Sequence, residues 1–183
     1  MKKLLVACEY IGVVREAFAK RGWDAWSCDL LPTDQPSDKH IQGHCLEAIA
    51  SQKWDMIIAH PPCTFLTVSN SKNWKKLQEN GKQQEAIRFV ERIWDADCPR
   101  ICIENPVGAL TNHSKLGKAT QYVQPYEFGH GEQKRTGFWL KGLPKKERHR
   151  LHWLPPSKDR WKIRSTTFQG IADAMADQWG GLV

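Results

Sequence analysis

Four short apolar runs recur along the chain, at Leu4 to Cys8, Trp23 to Cys28, Trp54 to Ala59 and Ile101 to Ile103, and each gives way to polar, charged or proline residues. They are mainly apolar, interrupted only by Asp24, Ser27 and Asp55, and too short for helices, so they read as strands. Between them the period changes. Val13, Val14, Ala17 and Phe18 fall on one helical face within Gly12 to Arg21, a short helix is expected from Leu46 to Ser51, and Ala86, Phe89, Val90 and Ile93 mark a face ending near Trp94. Strands starting near residues 3, 24, 55 and 100 therefore alternate with helices, which argues a mostly parallel sheet with helices on both faces. Ligands of such sheets lie beyond the carboxyl ends of the strands. Glu9, Asp29, Cys63 and Glu104 all fall there.

The rest of the chain completes this outline. Pro32 to Lys39 is a polar loop, and Thr67 to Gln84 is polar and basic, as a mobile substrate-facing loop would be. Gln121 to Phe128 and Thr136 to Leu140 are expected as two further strands around Gly129-His130-Gly131, forming an antiparallel edge. Phe168, Ile171, Ala172, Met175, Ala176 and Trp179 carry helical spacing that stops at Gly180-Gly181. The 183 residues, 40% of them hydrophobic, suffice for one domain spanning 1–183. No apolar stretch reaches the roughly 18 residues of a membrane span, and the run after Met1-Lys2-Lys3 is too short for a signal peptide. Six cysteines without a Cys-x-x-Cys pair then suggest free thiols in a reducing cytoplasm. A metal site at Cys98 and Cys102 is conceivable, but small buried residues explain them better, and no metal is expected.

Charge is concentrated. From Lys141 to Ser165 there are nine basic residues, Lys141, Lys145, Lys146, Arg148, Arg150, Lys158, Arg160, Lys162 and Arg164, against Glu147 and Asp159, a local excess equal to the +7 of the whole chain. With Trp153 and Trp161 interleaved, the segment reads as a phosphate-contacting surface with stacking side chains, or as a solvated basic loop.

His60-Pro61-Pro62-Cys63 follows the third apolar run. Two adjacent prolines supply no amide hydrogens and fix φ, so the chain can neither extend the ladder nor wind directly into a helix. Cys63 is thus held in a stiff loop at a strand end, as a nucleophile or as a structural thiol. Glu104-Asn105-Pro106 ends the fourth run and offers an acid, or a helix cap. Asp29 closes the second strand about 20 residues after the first turn, where nucleotide-binding α/β folds place an acid against ribose hydroxyls, although Cys8-Glu9-Tyr10-Ile11-Gly12 holds a single glycine.

Taken together these residues resemble the DNA cytosine-5 methyltransferases, and specifically their short phage and bacterial relatives, nearly from end to end. Pro61-Pro62-Cys63 is similar to the family's Pro-Pro-Cys motif, and Glu104-Asn105-Pro106 to its Glu-Asn-Val element. Gln133-Lys134-Arg135 resembles the start of Gln-x-Arg-x-Arg, with Gly137 in place of the second arginine. Arg164-Ser165 and Gly170 to Met175 resemble the closing motif. The resemblance implies a Rossmann-like S-adenosylmethionine-dependent methyltransferase fold. It implies Cys63 as the nucleophile that adds to carbon 6 of cytosine, Glu104 as an acid at ring nitrogen 3 with its pKa raised by burial, and Arg135 holding the base carbonyl or orienting the acid. S-adenosylmethionine would lie along Cys8, Glu9, Tyr10 and Gly12, with Asp29 on the ribose and His44 and Pro61 nearby; in duplex DNA the base must be flipped out.

The departures from the family keep other readings open. The first motif is Phe-x-Gly-x-Gly in the family, His44 stands where an acid reads the adenine amine, and only the segment from Lys141 to about Phe168 replaces a large target-recognition domain. The nucleic-acid partner, DNA in the first reading, would be held mainly through phosphates by that segment. The same chemistry on RNA or free nucleotides, and a catalytically silent nucleic-acid-binding relative, are the alternatives.

Overall fold

The computed structural model describes residues 1–128, 133–145 and 168–182. Its strands are β1 (Lys3–Ala7), β2 (Asp24–Asp29), β3 (His40–Gln42), β4 (Met56–Ala59), β5 (Ile101–Pro106), β6 (Gln121–Val123) and β7 (Thr136–Lys141). The helices are α1 (Val13–Ala19), α2 (Cys45–Ala50), α3 (Trp74–Glu79), α4 (Lys82–Trp94), α5 (Leu110–His113) and α6 (Gln169–Trp179). The strands form one seven-stranded sheet in the order β3-β2-β1-β4-β5-β7-β6. β1 to β5 pair in parallel, while β7 is antiparallel to both β5 and β6. This is the expected Rossmann-like α/β fold. The antiparallel edge is one reversed strand, β7, inserted between β5 and β6.

Period-two alternation sorts the strand residues between two cores. Leu4, Val6, Met56, Ile58 and Cys102 face α1 and α6, where Val14, Phe18, Met175 and Trp179 are buried. Leu5, Ala7, Ile57, Ala59, Ile101 and Ile103 face the opposite layer, with Ala48 of α2, Ile87, Val90 and Ile93 of α4 and Leu110 of α5. Burial on both faces explains why these strands are mainly apolar in sequence.

Three stretches differ from expectation. Residues 67–84 are not an extended loop: Val68–Asn73 is a 3-10 turn and α3 follows. The Thr67 hydroxyl accepts from the Ser69 amide (3.3 Å), the Trp74 indole donates to the Thr67 carbonyl (3.3 Å), and Leu77 is buried beneath. Gln121 to Phe128 is a strand only as far as Val123. At Pro125 the chain has no amide to offer the ladder and turns through a 3-10 segment, Pro125–Phe128, closed by Glu127 accepting from the Gln124 amide (2.9 Å). β3 has only three residues, too few for a readable period. Among the described residues no helix is long and apolar enough to cross a membrane.

Candidate active site

The loop after β4 is fixed from both sides. The His60 amide still donates to the Ala7 carbonyl (2.9 Å), after which Pro61 and Pro62 end the ladder. Pro61 and its carbonyl are held by the Nδ2 of Asn105, a fully buried β5 residue (2.8 Å). The Cys63 carbonyl accepts from the amides of Leu66 and Thr67, both at 2.9 Å. Beyond it, the Ala109 amide donates to the Leu66 carbonyl (2.7 Å) and the Val68 amide to the Val107 carbonyl (3.1 Å). This approach leaves no room for a side chain at residue 108: a Cβ on Gly108 would stand 1.8 Å from the Leu66 oxygen. The half-buried Cys63 thiol is therefore carried on a loop stapled to β5. Burial pushes its pKa up, Lys134 opposes that, and the Glu104 charge adds to it.

Glu104 lies at the end of β5 with Oε2 3.1 Å from Nδ1 of His60, both side chains largely buried. The expectation that burial raises its pKa is corrected here. Burial does push it up, but the His60 hydrogen bond, the Lys134 charge and a Thr136 hydrogen bond outweigh that and hold the carboxyl below its ordinary range.

The reversed strand brings the third group. β7 pairs Thr136 with Pro106 and Phe138 with Glu104, so residues leading into its start arrive at the finish of β5. Gln133, Lys134 and Arg135 consequently share a cleft of about 580 Å³ with Cys63, Thr67 and Pro106. Arg135 stacks on the Tyr122 ring, 4.4 Å from its centroid, and it is Lys134 whose charge acts on both Cys63 and Glu104. Gly137 is a packing requirement, since a Cβ there would come within 3.0 Å of Ala119 and of the Trp139 ring.

A second pocket, about 110 Å³, opens beside the first at the ends of β1, β2 and β3, and is lined by Cys8, Asp29, Leu30, Gly43, His44 and Pro62 among others. Asp29 Oδ1 accepts from the Leu31 amide (3.0 Å), and His44 caps α2 by accepting from the Leu46 amide (3.3 Å) while meeting Phe89 edge to face. Two donor hydroxyls of a ribose suit a carboxylate at this wall. The volume alone takes a sugar-sized group rather than a whole nucleoside. Pro61 is buried and does not line this pocket, whereas Pro62 does.

The first turn has a different occupation. Glu9 is buried and accepts from the amides of Val14 (2.7 Å) and Arg15 (3.2 Å), so its carboxylate caps α1. Burial pushes its pKa up, against the neighbouring His60, the two amides and Arg15. Gly12, at φ 81°, would place a Cβ 2.6 Å from the Arg15 guanidinium, which is buried and donates to Ser27 Oγ (2.8 Å). The Tyr10 carbonyl accepts from the Asp34 amide (3.1 Å). Gly12 thus makes room for an internal arginine.

Of the basic candidates, Lys141 caps α4, donating to the Trp94 carbonyl (2.6 Å), and Lys145 is exposed. Lys146, Arg148, Arg150, Arg160, Lys162 and Arg164 lie outside the described residues. Among the described residues no three His, Cys, Asp or Glu side chains group as metal ligands. Sequence reasoning passed over His60, Asn105, Lys134, Arg15 and Gly108 as working parts. Each does its work through a partner at least several residues away, so nothing local marked it.

No family model and no curated protein matches this chain. Among solved structures, it is similar to an Escherichia coli chain described as a DNA modification methyltransferase encoded within a prophage, at 15% identity and a TM-score of 0.48, over 76% of this chain and 46% of that one. The chain thus spans under half the length of that protein.

Proposed function

We propose that this protein is an S-adenosylmethionine-dependent methyltransferase acting on carbon 5 of cytosine in DNA through a covalent Cys63 adduct. The observation that carries the reading is the meeting of a stapled thiol and a lysine on one open cleft, with the buried carboxyl of Glu104 close enough for its charge to act on the thiol and the lysine's charge to act on it. Those three groups have complementary tasks. Carbon 5 of cytosine is a poor nucleophile until a sulfur adds at carbon 6. Then the carbon 5–carbon 6 π electrons move toward ring nitrogen 3, which must take a proton. S-adenosylmethionine, when bound, supplies the electrophilic methyl group; loss of the carbon 5 proton to water then restores the carbon 5–carbon 6 double bond and expels the Cys63 sulfur.

In the free protein Cys63 is held protonated by burial and by the Glu104 charge. When the proton that Cys63 gives up comes to be shared between Glu104 and ring nitrogen 3, that repulsion is removed, so accepting the base and ionising the thiol favour one another. Lys134 stabilises either anion. Arg135, on the Tyr122 face, would hold the base or an adjoining phosphate. The opposite rim, Val68 and Ser69 leading to exposed Lys72, Lys75 and Lys76, suits a polyanion crossing the cleft. The second pocket's residues fit the sugar of the methyl donor, with Asp29 accepting from its hydroxyls. His44 serves as a cap there, and Glu9 and Gly12 act by shaping the first turn.

The test is transfer of labelled methyl from S-adenosylmethionine to duplex DNA, single-stranded DNA, RNA and deoxycytidine nucleotides. Label at carbon 5 of cytosine, lost in Cys63→Ala and Glu104→Gln, upholds the mechanism. The accepted substrate decides between DNA and the RNA or nucleotide alternatives. No label on any substrate, with no calorimetric binding of S-adenosylmethionine, leaves the catalytically silent relative.

A further inference from the structure

The proposed chemistry uses one cysteine, yet two more thiols meet in the wall of the second pocket. Cys8, in the turn after β1, donates to Cys45, the first residue of α2, with 3.8 Å between the sulfurs. Both line the 110 Å³ pocket together with Asp29, Gly43 and His44. Cys8 has φ 60°, a conformation rare for a residue bearing a Cβ, so the backbone imposes the direction of its thiol. Within that lining Cys8 is half-buried and Cys45 is buried. The hydrogen bond to Cys45, and then burial, push the Cys8 thiol up, while accepting that bond lowers Cys45. Of the two, Cys45 is the sulfur more ready to ionise and Cys8 the one that holds its proton more firmly. Cys28, close by, is occupied: it donates to the Gly43 carbonyl (3.4 Å), and burial raises its thiol to about 12.

We propose that Cys8 and Cys45 are a peroxide-sensitive thiol pair whose disulfide distorts the second pocket, making the hold on the methyl donor depend on redox state. The thiol chemistry stands by itself; its consequence for the methyl donor rests on the function proposed above. The Cys45 thiolate attacks a peroxide oxygen. A sulfur–oxygen bond forms, the oxygen–oxygen bond breaks, and the released hydroxide takes up a proton as water. The Cys8 sulfur then attacks the Cys45 sulfenic sulfur. The disulfide forms, the sulfur–oxygen bond breaks, and the second water leaves with the proton of Cys8. Two thiols lose two electrons in total, and hydrogen peroxide becomes two waters. A disulfide holds its sulfurs about 2 Å apart, against 3.8 Å here. The turn after β1 and the start of α2 must therefore close on one another within the wall of the 110 Å³ pocket that both line. His44 adjoins Cys45 and moves with it, and the Gly43 amide is bonded to the Asp29 carbonyl (2.8 Å), so both polar walls are displaced.

The experiment uses the full chain carrying Cys63→Ser, which removes the catalytic thiol from the count, treated with hydrogen peroxide. Non-reducing peptide mapping is expected to show a Cys8–Cys45 link lighter by two hydrogens. Affinity for S-adenosylhomocysteine is expected to fall at least tenfold and return with dithiothreitol, and adding Cys45→Ser or Cys8→Ser abolishes both changes. Peroxide that leaves these two cysteines unlinked, or a link that leaves affinity unchanged, overturns the proposal. If the reduced protein binds no S-adenosylhomocysteine, the function proposed above fails. The thiol pair is then judged by the link and by amide exchange in peptides covering 28–33 and 42–47, which must change on oxidation and not in Cys45→Ser.

Discussion

Glu104 is ionised more readily than its burial would allow because His60, Lys134 and Thr136 all favour its charge. Its folded pKa lies below the unfolded value of about 4.3, so between the two the folded state binds fewer protons. Its contribution to stability is complete above the unfolded value and is lost as pH falls toward the folded one. Glu9 slopes the other way: its raised pKa makes stability fall as pH climbs above about 4.3. Urea unfolding of Glu104→Gln is therefore expected to lose less stability than the wild type on acidification from about pH 6 to pH 3.5; an equal loss would remove the electrostatic account. Asn105→Ala strips the buried Pro61 carbonyl of its donor. A cost of about 1–3 kcal/mol is expected, with methyl transfer slowed and S-adenosylhomocysteine affinity kept, as turnover and calorimetry would report.

At the scale of elements, the Cys63 loop and the chain leaving β5 are held together by a contact that only glycine permits. Gly108→Ala drives a Cβ into the Leu66 backbone, which cannot rotate aside. Overpacking of this kind costs about 1–3 kcal/mol, and here it also pushes the Cys63 loop off β5. Transfer is expected to fall by more than the stability loss explains, a difference seen by assaying well below the melting temperature. On the opposite face α6 is fastened to α1 and the sheet by Met175 and Trp179, with the Trp179 indole donating to the Pro144 carbonyl (3.1 Å) and that of Trp23 to the Gly180 carbonyl (3.1 Å). Met175→Ala is expected to destabilise by about 2–5 kcal/mol while leaving the ratio of transfer to cofactor binding intact, because α6 lies on the face away from α2 and α4. Thr67 to Gln84 shows why elements were harder to read than strands: its polar composition suggested a loop, whereas one buried leucine and a few side-chain bonds fold it into short helices.

Across the whole molecule, the function proposed above assigns polymer binding to charge. If the polymer is held through its phosphates, affinity falls linearly with salt on logarithmic axes. Neutralising the basic residues from Lys145 to Arg164 should then flatten that slope without changing S-adenosylhomocysteine affinity, as fluorescence anisotropy across a salt series would measure. An unchanged slope would move the polymer contact to Lys72, Lys75 and Lys76. The amino-acid sequence by itself determined the alternation of strands and helices, the placement of Asp29 and Glu104 toward the carboxyl ends of their strands and of Cys63 just past one, and the stiffness of Pro61-Pro62. These follow from periods of burial and from the missing amide of proline, which act within a few residues. The sheet order, the reversal of β7, the Glu104–His60 bond, the Lys134 charge on Cys63, the capping of α1 by Glu9 and the meeting of Cys8 with Cys45 were decided by the tertiary structure. Each joins groups on different elements or loops, and no local pattern encodes the distance between them.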